Sequence, residues 1–183
     1  SAFLGEAIER AGLQLTKSPN LLKEISSEIE WAKVQQIPSD GYVEAALANS
    51  RSVRASARSS NAPFSLEDIA KTYEAYEGLK RQERAIDFED VLLLTVGMLE
   101  EVKEIRDRIR DQYRYFTVDE YQDVSPLQQR LLDLWLGKRE DICVVGDPAQ
   151  TIYSFAGATP SFLLNFTKRY PAAEVIRLSA GYR

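Results

Sequence analysis

Histidine is absent from the 183 residues, and cysteine occurs once. Without histidine there can be no His-x-x-x-His zinc site and no Ser/His/Asp triad. A single cysteine excludes an internal disulfide and fits a reducing compartment. Cys143 lies in the apolar run Ile142-Cys143-Val144-Val145 and reads as a buried strand thiol, since no imidazole is present to activate it. No apolar run approaches the roughly 18 residues of a membrane span. No signal peptide opens the chain either, so a soluble, cytoplasmic protein with no membrane partner is expected. Basic residues are outnumbered, 23 against 28 acidic, and a net charge of −5 does not mark a nucleic-acid binder. The pattern Gly-x-x-x-x-Gly-Lys-Ser/Thr is also missing. The one Gly-Lys, Gly137-Lys138, runs into Arg139, so the chain has no phosphate-cradling loop.

What is present is patterned. Hydrophobic residues make up 44% of the chain, enough for a core. Up to about Glu83 the periodicity is helical. Phe3, Leu4, Ala7, Ile8 and Ala11 share a face that stops at Gly12. Ser18-Pro19 opens a second helix with Leu21, Leu22, Ile25, Ile29 and Ala32 inward, and Ile37-Pro38-Ser39-Asp40-Gly41 breaks it. A third helix is predicted from Tyr42 to about Ser56, followed by a loop at Arg58–Pro63. Ser65-Leu66-Glu67-Asp68 is a capping box for a helix with Ile69, Tyr73 and Tyr76 inward. Asp87-Phe88-Glu89-Asp90 caps a strongly apolar helix, and a charged amphipathic one covers roughly Val102–Tyr113. Strands are predicted at Tyr115–Glu120, Asp141–Gly146 and Val175–Leu178. Helices come between them, one after Ser125-Pro126 and one from Thr159-Pro160 to Tyr170. That alternation implies a parallel α/β sheet.

Three dense segments stand out in order. The first is Val118-Asp119-Glu120-Tyr121-Gln122-Asp123, two adjacent carboxylates at a strand end, where ligand sites of open α/β sheets lie. The second runs from Val144-Val145-Gly146-Asp147-Pro148-Ala149-Gln150 through Thr151-Ile152-Tyr153-Ser154-Phe155-Ala156-Gly157-Ala158. The third is Leu178-Ser179-Ala180-Gly181-Tyr182-Arg183. An acidic pair at a strand end can hold a divalent metal and activate water, or can simply cap the helix that follows.

Together the segments resemble motifs II, III and IV of the UvrD/Rep/PcrA-type superfamily 1 DNA helicases, most tightly from about Ile86 to Arg183. The resemblance implies a partial RecA-like (P-loop NTPase) parallel sheet with a mostly α-helical accessory subdomain. Residues 1–85 would be the accessory insertion and residues 86–183 the C-terminal half of the first RecA-like domain. It further implies an internal piece of an ATP-dependent helicase of DNA repair or recombination, translocating 3′→5′ on single strands. The alternatives are a subunit of a RecB/AddA-type helicase–nuclease and a degenerate, non-catalytic ATPase-like scaffold.

Residue by residue, Asp119 resembles the family's Mg2+ carboxylate and Glu120 its general base. Gln150 resembles the glutamine that senses the γ-phosphate of ATP, or is an exposed turn residue. Tyr153 and Phe155 stand where the family stacks single-stranded DNA bases, or are two core aromatics. Tyr182 resembles the adenine-stacking tyrosine and Arg183 the γ-phosphate arginine. The chain departs from the family at Phe155-Ala156, where relatives have Trp-Arg, and at Gly181, where they have asparagine. Gln122 and Asp123 read as satisfying backbone donors in the turn, and Asp147 as orienting its loop. Arg51, Arg54 and Arg58 read as a solvated helix face rather than a phosphate contact. Lacking the phosphate loop, the chain alone is expected neither to hydrolyse ATP nor to hold ATP and Mg2+ tightly. The resemblance implies single-stranded and forked DNA as partners, but with its acidic balance and most of the family's DNA-gripping domains absent the chain alone is expected to bind DNA weakly, and to be monomeric.

Overall fold

The computed structural model describes residues 2–13, 18–51, 65–151 and 157–178. Its helices begin where local chemistry says they should. The Ser18 side chain accepts from Leu21 N–H ahead of α2, Pro19–Val34, with α1 spanning Ala2–Arg10 before it. After the short α3, Tyr42–Ala48, reciprocal capping boxes open three further helices. Ser65/Asp68 starts α4, Leu66–Glu83; Asp87/Asp90 starts α5, Phe88–Glu101; Ser125/Gln128 starts α7, Pro126–Leu136. Each box satisfies two donors that a helix start leaves without partners. Between the last two lies α6, Lys103–Gln112.

The ends follow another rule. Behind α1, α2, α3 and α4 the chain turns through a left-handed residue: Gly12, Gln36, Ser50 and Arg84. In each case the next N–H reaches back into the last turn, as Ile37 does to Ala32 C=O at 2.8 Å and Arg51 to Ala46 C=O at 2.8 Å. This is the Schellman closure. It ends α3 at Ala48, well short of the predicted Ser56, whose own position lies outside the described residues.

Helices α1 to α4 enclose one core, with Leu4, Ile8, Ile25, Ile29, Tyr42 and Ile69 among its buried side chains. A second cluster joins α5 and α7 through Val96, Leu99, Leu127 and Leu131, and Val34 at the end of α2 packs onto it. The opposite stripe of α5 remains open, with Phe88 80% and Leu94 62% exposed. The third cluster holds the sheet. Strands β1, Phe116–Val118, and β2, Ile142–Val144, pair in parallel with Phe116 opposite Ile142 and Val118 opposite Val144. Phe116, Val118, Ile142 and Val144 turn toward Leu132 and Leu136 of α7. Where the sequence predicted one helix to Tyr170 there are two short ones, α8, Ser161–Leu164, and α9, Phe166–Arg169. No described helix is long and apolar enough to cross a membrane.

Two sequence expectations are corrected here. Cys143 is exposed, because residue alternation places it with Thr117 on the face of β1–β2 away from α7. Val175–Leu178 is not a strand but irregular chain; Ile176 is 78% and Leu178 92% exposed. A strand needs a ladder partner, and none of the described residues supplies one to this segment.

The first two cores are tied by a buried ionic cluster that the sequence did not reveal. Lys33 of α2, 2% exposed, holds Asp87 at 2.5 and 2.6 Å and Asp90 at 2.5 Å. Lys80 of α4, 4% exposed, holds Asp87 at 2.9 Å, Asp90 at 2.7 Å and Glu77 at 2.7 Å. The carboxylates of Glu77, Asp87 and Asp90 lie close enough to ligate one cation, and the two ammonium groups already bind them, offsetting two of the three negative charges. Asp87 is thus both the N-cap of α5, as expected, and the hub of the cluster. Burial alone would raise its carboxyl, but the hydrogen bonds from Lys33 and Lys80 outweigh burial and hold it at about 2, below the ordinary 3.8.

A carboxylate depressed by folding contributes stability above its unfolded pKa and loses it as pH falls through the folded value. Asp87 should therefore cost the fold up to about 2 kcal/mol as pH drops from about 4 to about 2. Urea midpoints measured across that window should fall with pH; a flat line would contradict the cluster.

Candidate active site

The candidate site is built on the carboxyl ends of β1 and β2. Val145 N–H donates to Val118 C=O at 2.8 Å, and Tyr121 N–H donates back to Val145 C=O at 2.9 Å. The two strand ends, and the segments that follow them, are therefore locked side by side. Between those bonds sit Asp119 and Glu120, both exposed. Glu120 adopts φ 50° and ψ 40°, a left-handed conformation that non-glycine residues hold only where the surroundings enforce it.

Several contacts enforce it. Asp119 Oδ1 accepts from Glu120 N–H at 2.9 Å, and Asp123 N–H donates to Glu120 C=O at 2.8 Å, closing a tight turn over Tyr121–Asp123. Tyr121, 1% exposed, drops into the third core beneath the turn and donates to Gln129 Oε1 at 2.5 Å. Burial pushes the Tyr121 phenol up to about 12, so it stays a neutral donor. Gln129 donates in turn to Asp133 at 2.7 Å, and Arg169 closes the line onto Asp133 at 2.6 Å.

The helix after the turn has its own cap. Ser125 and Gln128 satisfy the first donors of α7, so the acidic pair does not serve as its N-cap. Gln122, 1% exposed, does more than satisfy the turn. Its Nε2 donates to Glu120 Oε2 at 2.7 Å, and its Oε1 accepts from Asp147 N–H at 3.0 Å.

Asp147 then organises the loop after β2. Its Oδ1 accepts from Ala149 N–H at 2.9 Å, and its Oδ2 from Gln150 Nε2 at 3.0 Å. Those two bonds, Gln150's first, lower the Asp147 carboxyl below its ordinary range. Gln150 closes a short turn over Pro148–Gln150 and is exposed. Glu120, Gln122, Asp147 and Gln150 are thus joined in one hydrogen-bonded line across the two strand ends.

A profile of the UvrD/REP helicase N-terminal domain matches residues 10–171 of this sequence. The chain belongs to the UvrD/Rep helicase family. ATP-dependent DNA helicase UvrD2 of Mycobacterium tuberculosis is 44% identical over 186 residues, covering all of this chain and 25% of the relative. ATP-dependent DNA helicase PcrA of Staphylococcus aureus is 34% identical over 137 residues, 75% of this chain and 19% of its own. The putative ATP-dependent DNA helicase YjcD of Bacillus subtilis is 34% identical over 115 residues, 63% of this chain and 15% of its own. The chain spans about a quarter or less of the length of these UvrD/Rep relatives.

Of the residues singled out by resemblance to the UvrD/Rep family, Asp119, Glu120 and Gln150 lie at the described site. Tyr153, Phe155, Tyr182 and Arg183 lie outside the described residues, as do Arg54 and Arg58. Arg51 is not a solvated charge. It grips Glu28 at 2.6 and 2.9 Å and lies 4.3 Å over the Trp31 ring. Sequence reasoning undervalued Gln122 and passed over Gly146 and Gly157, both of which mark places where backbone comes too close for a Cβ.

Gly157 sits at φ 91°, and a Cβ there would meet Val34 Cγ2 at 2.6 Å. Its carbonyl accepts from Gln35 Nε2 at 3.3 Å, fastening the loop after β2 to the end of α2. Gly157→Ala should cost about 1–3 kcal/mol through crowding and the strained backbone. Thermal unfolding of the variant is the check, and an unchanged midpoint would refute the contact.

Proposed function

We propose that residues 86–183 supply half of a RecA-like ATPase core, that residues 1–85 form its helical accessory insertion, and that the chain serves an ATP-dependent DNA helicase. The observation that carries this reading is the hydrogen-bonded line Glu120–Gln122–Asp147–Gln150 across the carboxyl ends of two parallel strands. Open α/β sheets place their ligand sites there. ATP hydrolysis needs a carboxylate held beside a group that reads the terminal phosphate.

In this reading Glu120 orients water toward the γ-phosphate as general base. Gln150, a neutral amide that both donates and accepts, senses that phosphate. Asp119 would hold Mg2+; it is exposed, and among the described residues no hydrogen bond reaches its Oδ2, which suits a metal that takes few protein carboxylates. The ion would neutralise charge on the phosphates. Tyr153 and Phe155 stack bases of single-stranded or forked DNA, Tyr182 stacks on adenine, and Arg183 meets the γ-phosphate. Translocation runs 3′→5′, in repair or recombination.

The test replaces the matching quarter of Mycobacterium tuberculosis UvrD2 with residues 1–183. DNA-stimulated ATP turnover and unwinding of a duplex with a 3′ tail should survive, while the 183-residue chain alone should neither turn over ATP nor bind an ATP analogue by calorimetry. A folded chimaera inert toward ATP would favour a scaffold role and overturn the reading.

A further inference from the structure

We propose that Gln122 is a positioning residue for ATP hydrolysis, a two-sided clip that ties the general base to the loop carrying the phosphate sensor. The proposal rests on the ATPase reading of Glu120 and Gln150 and adds how the two are held in register. Gln122 touches neither nucleotide nor water in this role. It acts through its neighbours.

Chemistry restricts the residue that can stand here. The position needs a donor aimed at a carboxylate, Glu120 Oε2 at 2.7 Å, and an acceptor aimed at a backbone N–H, Asp147 at 3.0 Å. A side-chain amide offers both from one rigid plane, and a glutamate in its place would keep the acceptor but lose the donor. The amide is 1% exposed, so water does not compete for either bond. A second observation is independent of those bonds. Gly146, immediately before Asp147, leaves room for the clip, because a Cβ at Gly146 would lie 2.5 Å from Gln122 Oε1. The same Cβ would come within 3.2 Å of Tyr121 N, which is backbone and cannot swing aside.

The consequence is that Glu120 and the Asp147–Gln150 turn move as one body. Glu120 is held in its left-handed conformation while its carboxylate is pinned by the same amide that anchors Asp147. Asp147 then holds Gln150 by its side chain. A displacement of the sensor on phosphate contact is transmitted to the base through three hydrogen bonds and two residues, Asp147 and Gln122.

Three variants separate this role from packing. Gln122→Met keeps the volume and loses both bonds; Gln122→Glu keeps the bond to Asp147 N–H and loses the one to Glu120; Gly146→Ala crowds the amide. In the UvrD2 chimaera all three should lower kcat for ATP, the Gln122 pair by about 100-fold as expected for a slightly misplaced catalytic group, with KM within about threefold. In the 183-residue chain, amide exchange at Asp147 should quicken in Gln122→Met and stay slow in Gln122→Glu. Unchanged kcat in Gln122→Glu would overturn the clip, showing that the amide only anchors the loop. A kcat loss that tracks a lowered unfolding midpoint would also overturn it, as packing alone. Failure of the unsubstituted chimaera to hydrolyse ATP is a separate result, which sinks the ATPase reading and the role with it.

Discussion

Glu120→Gln in the UvrD2 chimaera is expected to lower ATP turnover by about 10²- to 10⁴-fold, the range of a lost general base, with little change in KM. The substitution is well suited to the question because it preserves geometry. The new amide oxygen can still accept from Gln122 Nε2, so the bond seen at 2.7 Å in the native site can persist. The turn over Tyr121–Asp123 is held by backbone bonds and by the buried Tyr121, neither of which the change touches. What disappears is the negative charge that, in the proposed role, accepts a proton from water. Steady-state ATPase assays with saturating single-stranded DNA would measure it. Turnover within about threefold of the parent would show that another group is the base, since no general-base role is worth so little.

The largest expected effect on stability lies away from the site. Lys80→Met should destabilise the fold by about 3–5 kcal/mol, the range for breaking a buried ionic group by removing one partner. Lys80 is 4% exposed and faces Asp87, Asp90 and Glu77. Burial by itself would lower its ammonium pKa, yet the bonds to Asp90 and Glu77 prevail and raise it, so the charge is present at every ordinary pH. Without it three carboxylates share the single ammonium of Lys33. Whole domains are stable by only about 5–15 kcal/mol, so such a loss is a large fraction of the total. The exposed pair Arg10–Glu6 is the control, and Arg10→Ala should cost less than about 1 kcal/mol. Urea unfolding followed by circular dichroism would compare the two. Equal, small losses would mean that the cluster is no more than surface charge.

How far the chain could be read in advance depended on the range of each interaction. Helix starts were legible at Ser18, Ser65 and Asp87 because a cap and its partner lie within three residues. Of the four helix ends that turn through a left-handed residue, only that of α1 is announced by a glycine, Gly12. Gln36, Ser50 and Arg84 make the same left-handed turn without glycine to announce it. Asp119 and Glu120 were legible as a candidate pair from their place after an apolar run, and Gln150 from its motif. Gln122 was visible but ambiguous, because its acceptor role depends on a backbone N–H 25 residues away. Cys143 misled because an apolar run gives no sign of which sheet face is covered.

The amino-acid sequence by itself determined where the helices start, the order strand–helix–strand around Ser125, and the family motifs. Those properties are encoded in neighbours along the chain, through capping, periodicity and residue type. Only the tertiary structure decided that Lys33 meets Asp87 across 54 residues, that Gly157 abuts Val34, and that one buried amide joins Glu120 to Asp147. Desolvation and hydrogen bonding depend on distance in space, and no local pattern records which distant groups the fold will bring within 3 Å of each other.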